Sequence, residues 1–121
     1  MELKIKATGA VVLTDELKDF VTEKLSKVGT LLAEDPTALA EVELATTAGG
    51  ARTGDVFRAE INISFSNTLA RAEAVKDTLH GALDRAVAEV WREVKKSRGK
   101  HRSLARQGAA HVKNFFDQFG K

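Results

Sequence analysis

The stretch VFRAEINISFSNTLARAEAV, residues 56–75, decides the fold. Phe57, Ala59, Ile61, Ile63 and Phe65 alternate with Arg58, Glu60, Asn62 and Ser64. That period of two predicts a strand over 56–66 with one face in the core and one toward water. Ser66-Asn67 is a two-residue turn signal, and a fourth strand follows over about 68–75. Its alternation is rich in alanine and leaves the inward face open. Upstream, Ala40, Val42, Leu44 and Thr46 alternate with Glu41, Glu43 and Ala45, so a strand is predicted over 39–47. The glycine-rich AGGARTG, 48–54, joins it to the next as a hairpin loop. At the N-terminus, Leu3, Ile5 and Ala7 against Glu2, Lys4 and Lys6 give a further strand, broken at Gly9.

Two segments carry the other period. Leu17, Phe20, Val21, Leu25, Val28, Leu31 and Leu32 recur at helical spacing. Thr14 is placed as N-cap, Asp15 and Glu16 sit in the first turn, and Pro36 closes the segment, so one helix is predicted over 15–33. Leu79, Leu83, Ala86, Val87, Val90 and Val94 form a second stripe, capped by Asp77 or Thr78 and ending at Arg98-Gly99. The fold class is therefore α+β, a β-α-β-β-β-α two-layer sandwich with two helices packed on one face of a four-stranded sheet, the least costly way to bury both stripes. Residues 1–100 form this domain. Residues 101–121 form a basic tail, in which Val112, Phe115, Phe116 and Phe119 have the spacing of a short helix.

Charge is divided unevenly along the chain. Up to Trp91 there are ten Lys/Arg against fifteen Asp/Glu, net −5; from Arg92 onward there are nine against two, net +7. An acidic body with a basic C-terminal run suits a polyanion partner, because clustered Lys and Arg release counterions from phosphate backbones. If the helices lie side by side, Lys24 and Lys27 join Arg85, Arg92, Lys95, Lys96, Arg98, Lys100, Arg102 and Arg106 in one phosphate track. The outward sheet residues mix signs and carry no aromatics, which disfavours a base-stacking sheet. Backbone and shape recognition of folded RNA is expected instead.

Other chemistries find no support. Cysteine is absent, which excludes disulfides, thiolate metal sites and Cys nucleophiles. His80, His101 and His111 are scattered, and His80 is expected to be a surface or packing residue. Asp77 and Asp84 share a helix face but have simpler roles, as a cap and as a partner for neighbouring basic residues. The 49–54 segment lacks the Lys-Ser/Thr of a phosphate loop. No nucleophile, base and anion hole occur together, so no enzyme, metal or cofactor is predicted. The N-terminus has no apolar signal region and no stretch is long enough to span a membrane. A cytoplasmic protein, monomeric when free, with no membrane or small-molecule partner, is expected.

Two stretches resemble the ribosome hibernation-promoting factor family, also called the ribosome-associated inhibitor or protein Y family. They are ATGAVVLTDELKDFVTEKLSKVGTLL, from residue 7, and ARAEAVKDTLHGALDRAVAEVWREVKKSRGK, ending at residue 100. The resemblance implies a β-α-β-β-β-α domain that binds the small ribosomal subunit and its rRNA where mRNA and tRNA would lie, inhibiting translation in stressed or stationary cells without catalysis or cofactor. It implies that Lys24 and Lys27, and Arg92, Lys95, Lys96, Arg98 and Lys100, contact ribosomal RNA, in a short-form member without a C-terminal dimerisation domain. Two other readings of the residues stay open: a stand-alone module for structured RNA, against which the strand before the first helix argues, and a protein-interaction module using the tail aromatics.

Overall fold

The computed structural model describes residues 1–47 and 56–106, with side chains as far as Gly99. The predicted 48–54 loop and the tail aromatics lie outside the described residues. Four strands, β1 (Glu2–Ala7), β2 (Leu39–Thr46), β3 (Phe57–Phe65) and β4 (Thr68–Lys76), form one sheet in the order β1-β2-β3-β4. β1 runs parallel to β2, and the other two pairs are antiparallel. Three helices complete the chain: α1 (Asp15–Lys24), α2 (Ser26–Leu31) and α3 (Leu79–Arg106).

The β3–β4 hairpin turns at Ser66 (φ 46°) and Asn67 (φ 62°), the paired positive angles that match the twist of the strands. Its register sets Ile61 opposite Ala72 and Ile63 opposite Ala70, which settles the inward face of β4: Ala70, Ala72 and Ala74 are buried. Small side chains there let α3 lie close, and its Leu83, Ala86, Val90 and Val94 are fully buried against β3 and β4. Leu17, Val21, Leu25, Val28 and Leu32 bring the other helical stripe into the same core.

Two predicted boundaries are corrected. The 15–33 helix is two helices meeting at Leu25 (φ −91°, ψ 3°). Ser26, Val28, Gly29 and Thr30 are weak helix formers, so the chain loosens where propensity falls. Leu25 N–H still donates to Val21 O at 3.0 Å and Gly29 N–H to Leu25 O at 3.0 Å, so the buried stripe continues through the bend. The second helix does not stop at Arg98-Gly99 but runs to Arg106. Glycine inside a helix costs only about 0.5–1 kcal/mol relative to alanine, and its lysine and arginine neighbours are good helix formers.

The helix starts are held by their caps. Thr14 Oγ1 accepts from Leu17 N–H at 3.1 Å, and Thr78, not Asp77, caps α3 by accepting from Gly81 N–H at 2.9 Å. Gly9, at φ +65°, cannot carry a side chain, because a Cβ would collide with Thr46 Oγ1.

Candidate nucleic-acid interface

The basic residues form two rows rather than one track. At about 100° per residue, Arg85, Arg92 and Lys96 point away from the other helices. Lys95 and Arg98 lie on the flank of α3 that faces α1 and α2. Arg92, Lys95 and Lys96 are exposed and make no ion pair among the described residues. Arg85 is partly neutralised by Glu89, Nε to Oε1 2.9 Å, one turn on. Arg98 is half-buried and lines a cavity with Thr30, Glu34, Asp35, Phe65 and Ser66. Lys100, Arg102 and Arg106 lie on the last turns of α3, beyond the described side chains.

Lys24 and Lys27 stand on the opposite wall of the groove, in different circumstances. Lys24 is half-buried, with Nζ 3.0 Å from Asp84 Oδ1 and 5.3 Å from the Phe20 ring centroid. Its charge is already matched within the protein. Asp84 thus pairs across the groove, not with Arg85 beside it. His80 stacks on Phe20, ring centroids 4.1 Å apart, and so has the packing role its position suggested. Lys27 is exposed, and it lines the groove together with Ser26 and Trp91.

Trp91 is the residue that charge-based reasoning passed over. It sits on the flank of α3, half-buried, with Lys95 Nζ 4.9 Å over its ring. The available signal was a large aromatic at the polar margin of the stripe, one turn before a lysine.

The opposite face of the sheet is different in kind. Register sets Glu43, Glu60 and Glu73 side by side across β2, β3 and β4. Arg58 joins them: it is hydrogen-bonded to Glu43, 3.0 Å from Glu60 Oε2 and 3.6 Å from Glu73 Oε2. Burial opposes the guanidinium charge, but the hydrogen bond and charge of Glu43, with Glu73 and Glu60, outweigh it and hold Arg58 above its ordinary value. The Asn62 amide, with the Arg71 and Arg58 charges, outweighs burial and holds the Glu60 carboxyl below its ordinary value. At the far end of the sheet, the Ser66 hydroxyl (2.6 Å) and Thr37 hydroxyl (2.6 Å) donate to the Asp35 carboxylate and lower its pKa likewise.

No group of three or more His, Asp or Glu among the described residues is placed to hold a metal ion, and none of the described helices is long and apolar enough to cross a membrane. The arrangement offers cations to an extended polyanion along α3 and a groove with one aromatic wall beside them.

The fold is similar to the crystal structure of the Thermus thermophilus protein Y N-terminal domain, with a TM-score of 0.65 and 28% identity, covering 79% of this chain and 98% of that one. It is also similar to a ribosomal subunit interface protein from Coxiella burnetii, with a TM-score of 0.66 and 13% identity over 82% of this chain and 99% of that one, a likeness of fold alone. No curated protein matches the sequence. The sequence profile described as Sigma 54 modulation protein / S30EA ribosomal protein matches residues 5–102. With that profile spanning 98 of the 121 residues, this chain belongs to the Sigma 54 modulation protein / S30EA ribosomal protein family.

Proposed function

We propose that this protein binds the small ribosomal subunit along the channel used by mRNA and tRNA and inhibits translation by occupying it, as a hibernation factor of stressed or stationary cells. The observation that carries this reading is the run of unmatched cations on α3, Arg92, Lys95 and Lys96, on a fold shared with protein Y. Such cations meet phosphates spaced along an RNA backbone, while the acidic body restricts the ways the protein can lie on its target. The chain acts by occupancy and turns nothing over. Ribosomal RNA supplies the polyanion, and no cofactor takes part.

The test is a titration of the protein against a fixed concentration of ribosomes in a purified translation system, with co-sedimentation on small subunits measured in parallel. Inhibition should saturate near one protein per ribosome and be relieved by excess initiator tRNA and mRNA, since ligands sharing a site trade occupancy by concentration and affinity. Inhibition far below one protein per ribosome, or ribosomal RNA found cleaved afterwards, would replace occupancy with catalysis.

A further inference from the structure

We infer that Trp91 is a stacking platform for one unpaired nucleobase, seated in the groove between α1–α2 and α3, with Lys27 and Lys95 receiving the phosphates on either side of it. The inference rests on the RNA-binding reading above and adds a base-contacting site to what is otherwise recognition of the backbone.

The ring packs against the core from its edge only. Leu83, Val90 and Val94 on the same helix are already fully buried, and Trp91 stands at their margin with part of its surface in water. It forms a wall shared by two adjoining recesses. One has Val28, Val87 and Ala88 in its lining; the other has Thr30 and Leu31, and Ser26 and Lys27 border both. A flat aromatic wall over an apolar floor with a polar rim is the environment a base takes when it leaves its stack, because every base has a π-face and hydrogen-bonding edges.

The charges select RNA over an apolar protein side chain as the occupant. Lys27 and Lys95 flank the ring and have no ion-pair partner among the described residues, whereas Lys24, deeper in the groove, is held by Asp84. Cations without a carboxylate therefore stand at the ring, Lys95 over its face, and a neutralised pair lines the same recess. Glu23 lines the groove on the Lys24 side and turns phosphate away from that end. A nucleotide is thus oriented with its base against Trp91 and its backbone toward Lys27 and Lys95. Lys95 rests over the ring in the free protein, and a phosphate that draws it aside uncovers that face.

Trp91 is the single tryptophan and the chain has no tyrosine, so tryptophan emission reports this ring alone. The experiment titrates the full chain with a short oligouridylate, with an abasic ribose-phosphate oligomer of equal length, and with small ribosomal subunits. Binding is followed separately by anisotropy of labelled oligomers and by co-sedimentation. Oligouridylate should quench the emission saturably, and the abasic oligomer should bind without quenching. Trp91→Leu should weaken oligouridylate binding roughly five- to 150-fold, the range that stacking of one base supports. Abasic binding should stay unchanged, and Trp91→Phe should retain most of the affinity.

Saturation with oligouridylate at constant emission, or equal losses for both oligomers in Trp91→Leu, would overturn the site. Should Trp91→Leu fail to fold by circular dichroism, the emission arm on the native chain decides alone. Subunits that co-sediment with Trp91 emission unchanged would overturn stacking and leave the ribosomal reading standing. Quenching by oligouridylate without subunit binding would do the reverse, and no binding to either RNA would overturn both. Quenching by subunits that oligouridylate cannot reproduce would assign the groove to a protein side chain and overturn the nucleobase.

Discussion

The two faces of this domain handle charge in opposite ways. On the outer sheet face, three glutamates that register forces together are held by Arg58, and Arg71 lies 3.3 Å from Glu60. On α3, Arg92, Lys95 and Lys96 are left without ion-pair partners among the described residues. Cations in the first place work inside the fold, because like charges directly opposite one another on a sheet repel. Cations in the second are available to something outside it. The near-neutral total of +2 conceals both arrangements. What separates available cations from structural ones here is whether a basic side chain already has a carboxylate, not how many basic side chains there are.

The largest effect that could break this contrast is on binding. If about six to ten phosphates are neutralised, affinity for small subunits should fall about 10³–10⁵-fold between roughly 50 and 200 mM salt. Lys95→Glu with Lys96→Glu should weaken it further and lower the salt slope by about two, while circular dichroism stays native because both side chains are exposed. Arg71→Gln on the sheet should leave co-sedimentation unchanged. Equal losses from the two faces would mean that the sheet also meets RNA.

The next effect is on stability and belongs to the sheet. Arg58→Met should destabilise the fold by about 1–2 kcal/mol, less than for a fully buried charge because the Arg58 side chain is 24% exposed. Thermal melting should register this as a fall of roughly 4–12 °C. Adding Glu60→Gln should recover part of it, since the cost arises from carboxylates left facing one another. A cost the second change does not touch would show that Arg58 stabilises by packing alone.

The smallest effect is with pH. Asp35 and Glu60 have folded pKa values below their ordinary ones, so each contributes stability that is present above the ordinary carboxylate range and lost as pH falls through the folded value. Asp35→Asn with Glu60→Gln should therefore flatten the acid side of the stability curve, followed by denaturant midpoints at descending pH. An acid limb as steep as that of the native chain would place the titrating groups elsewhere.

Much of the fold was legible because burial on one face imposes a period that substitution cannot hide. The alternation in β3 and the stripe from Leu79 to Val94 are of this kind, and so is the Thr14 cap, whose hydroxyl has a single local use. The inward face of β4 was not legible: alanine suits either side, and only its pairing with Ile61 and Ile63 decides. The bend at Leu25 stayed hidden because the buried positions keep helical spacing across it. At the candidate site the basic residues were legible as a set but not as two rows. The rows follow from helical phase once the packing of α3 is known, and which cations are already matched depends on tertiary and local partners, Asp84 for Lys24 and Glu89 for Arg85.

The unbroken passage of α3 through Gly99 makes rotational phase a property of the basic end. Arg98 lies beside Phe65 and Ser66 at the tip of the β3–β4 hairpin. The helix therefore clears the sheet there and continues for eight residues, about 12 Å at 1.5 Å per residue. Backbone beyond that tip is geared to the core like a shaft. One residue inserted near Gly99 would turn everything after it by about 100°, whereas seven, close to two full turns, would restore its facing and lengthen its reach by roughly 10 Å. Tolerance to length in this segment should accordingly recur with the period of the helix, where a slack tether would tolerate any small insertion alike.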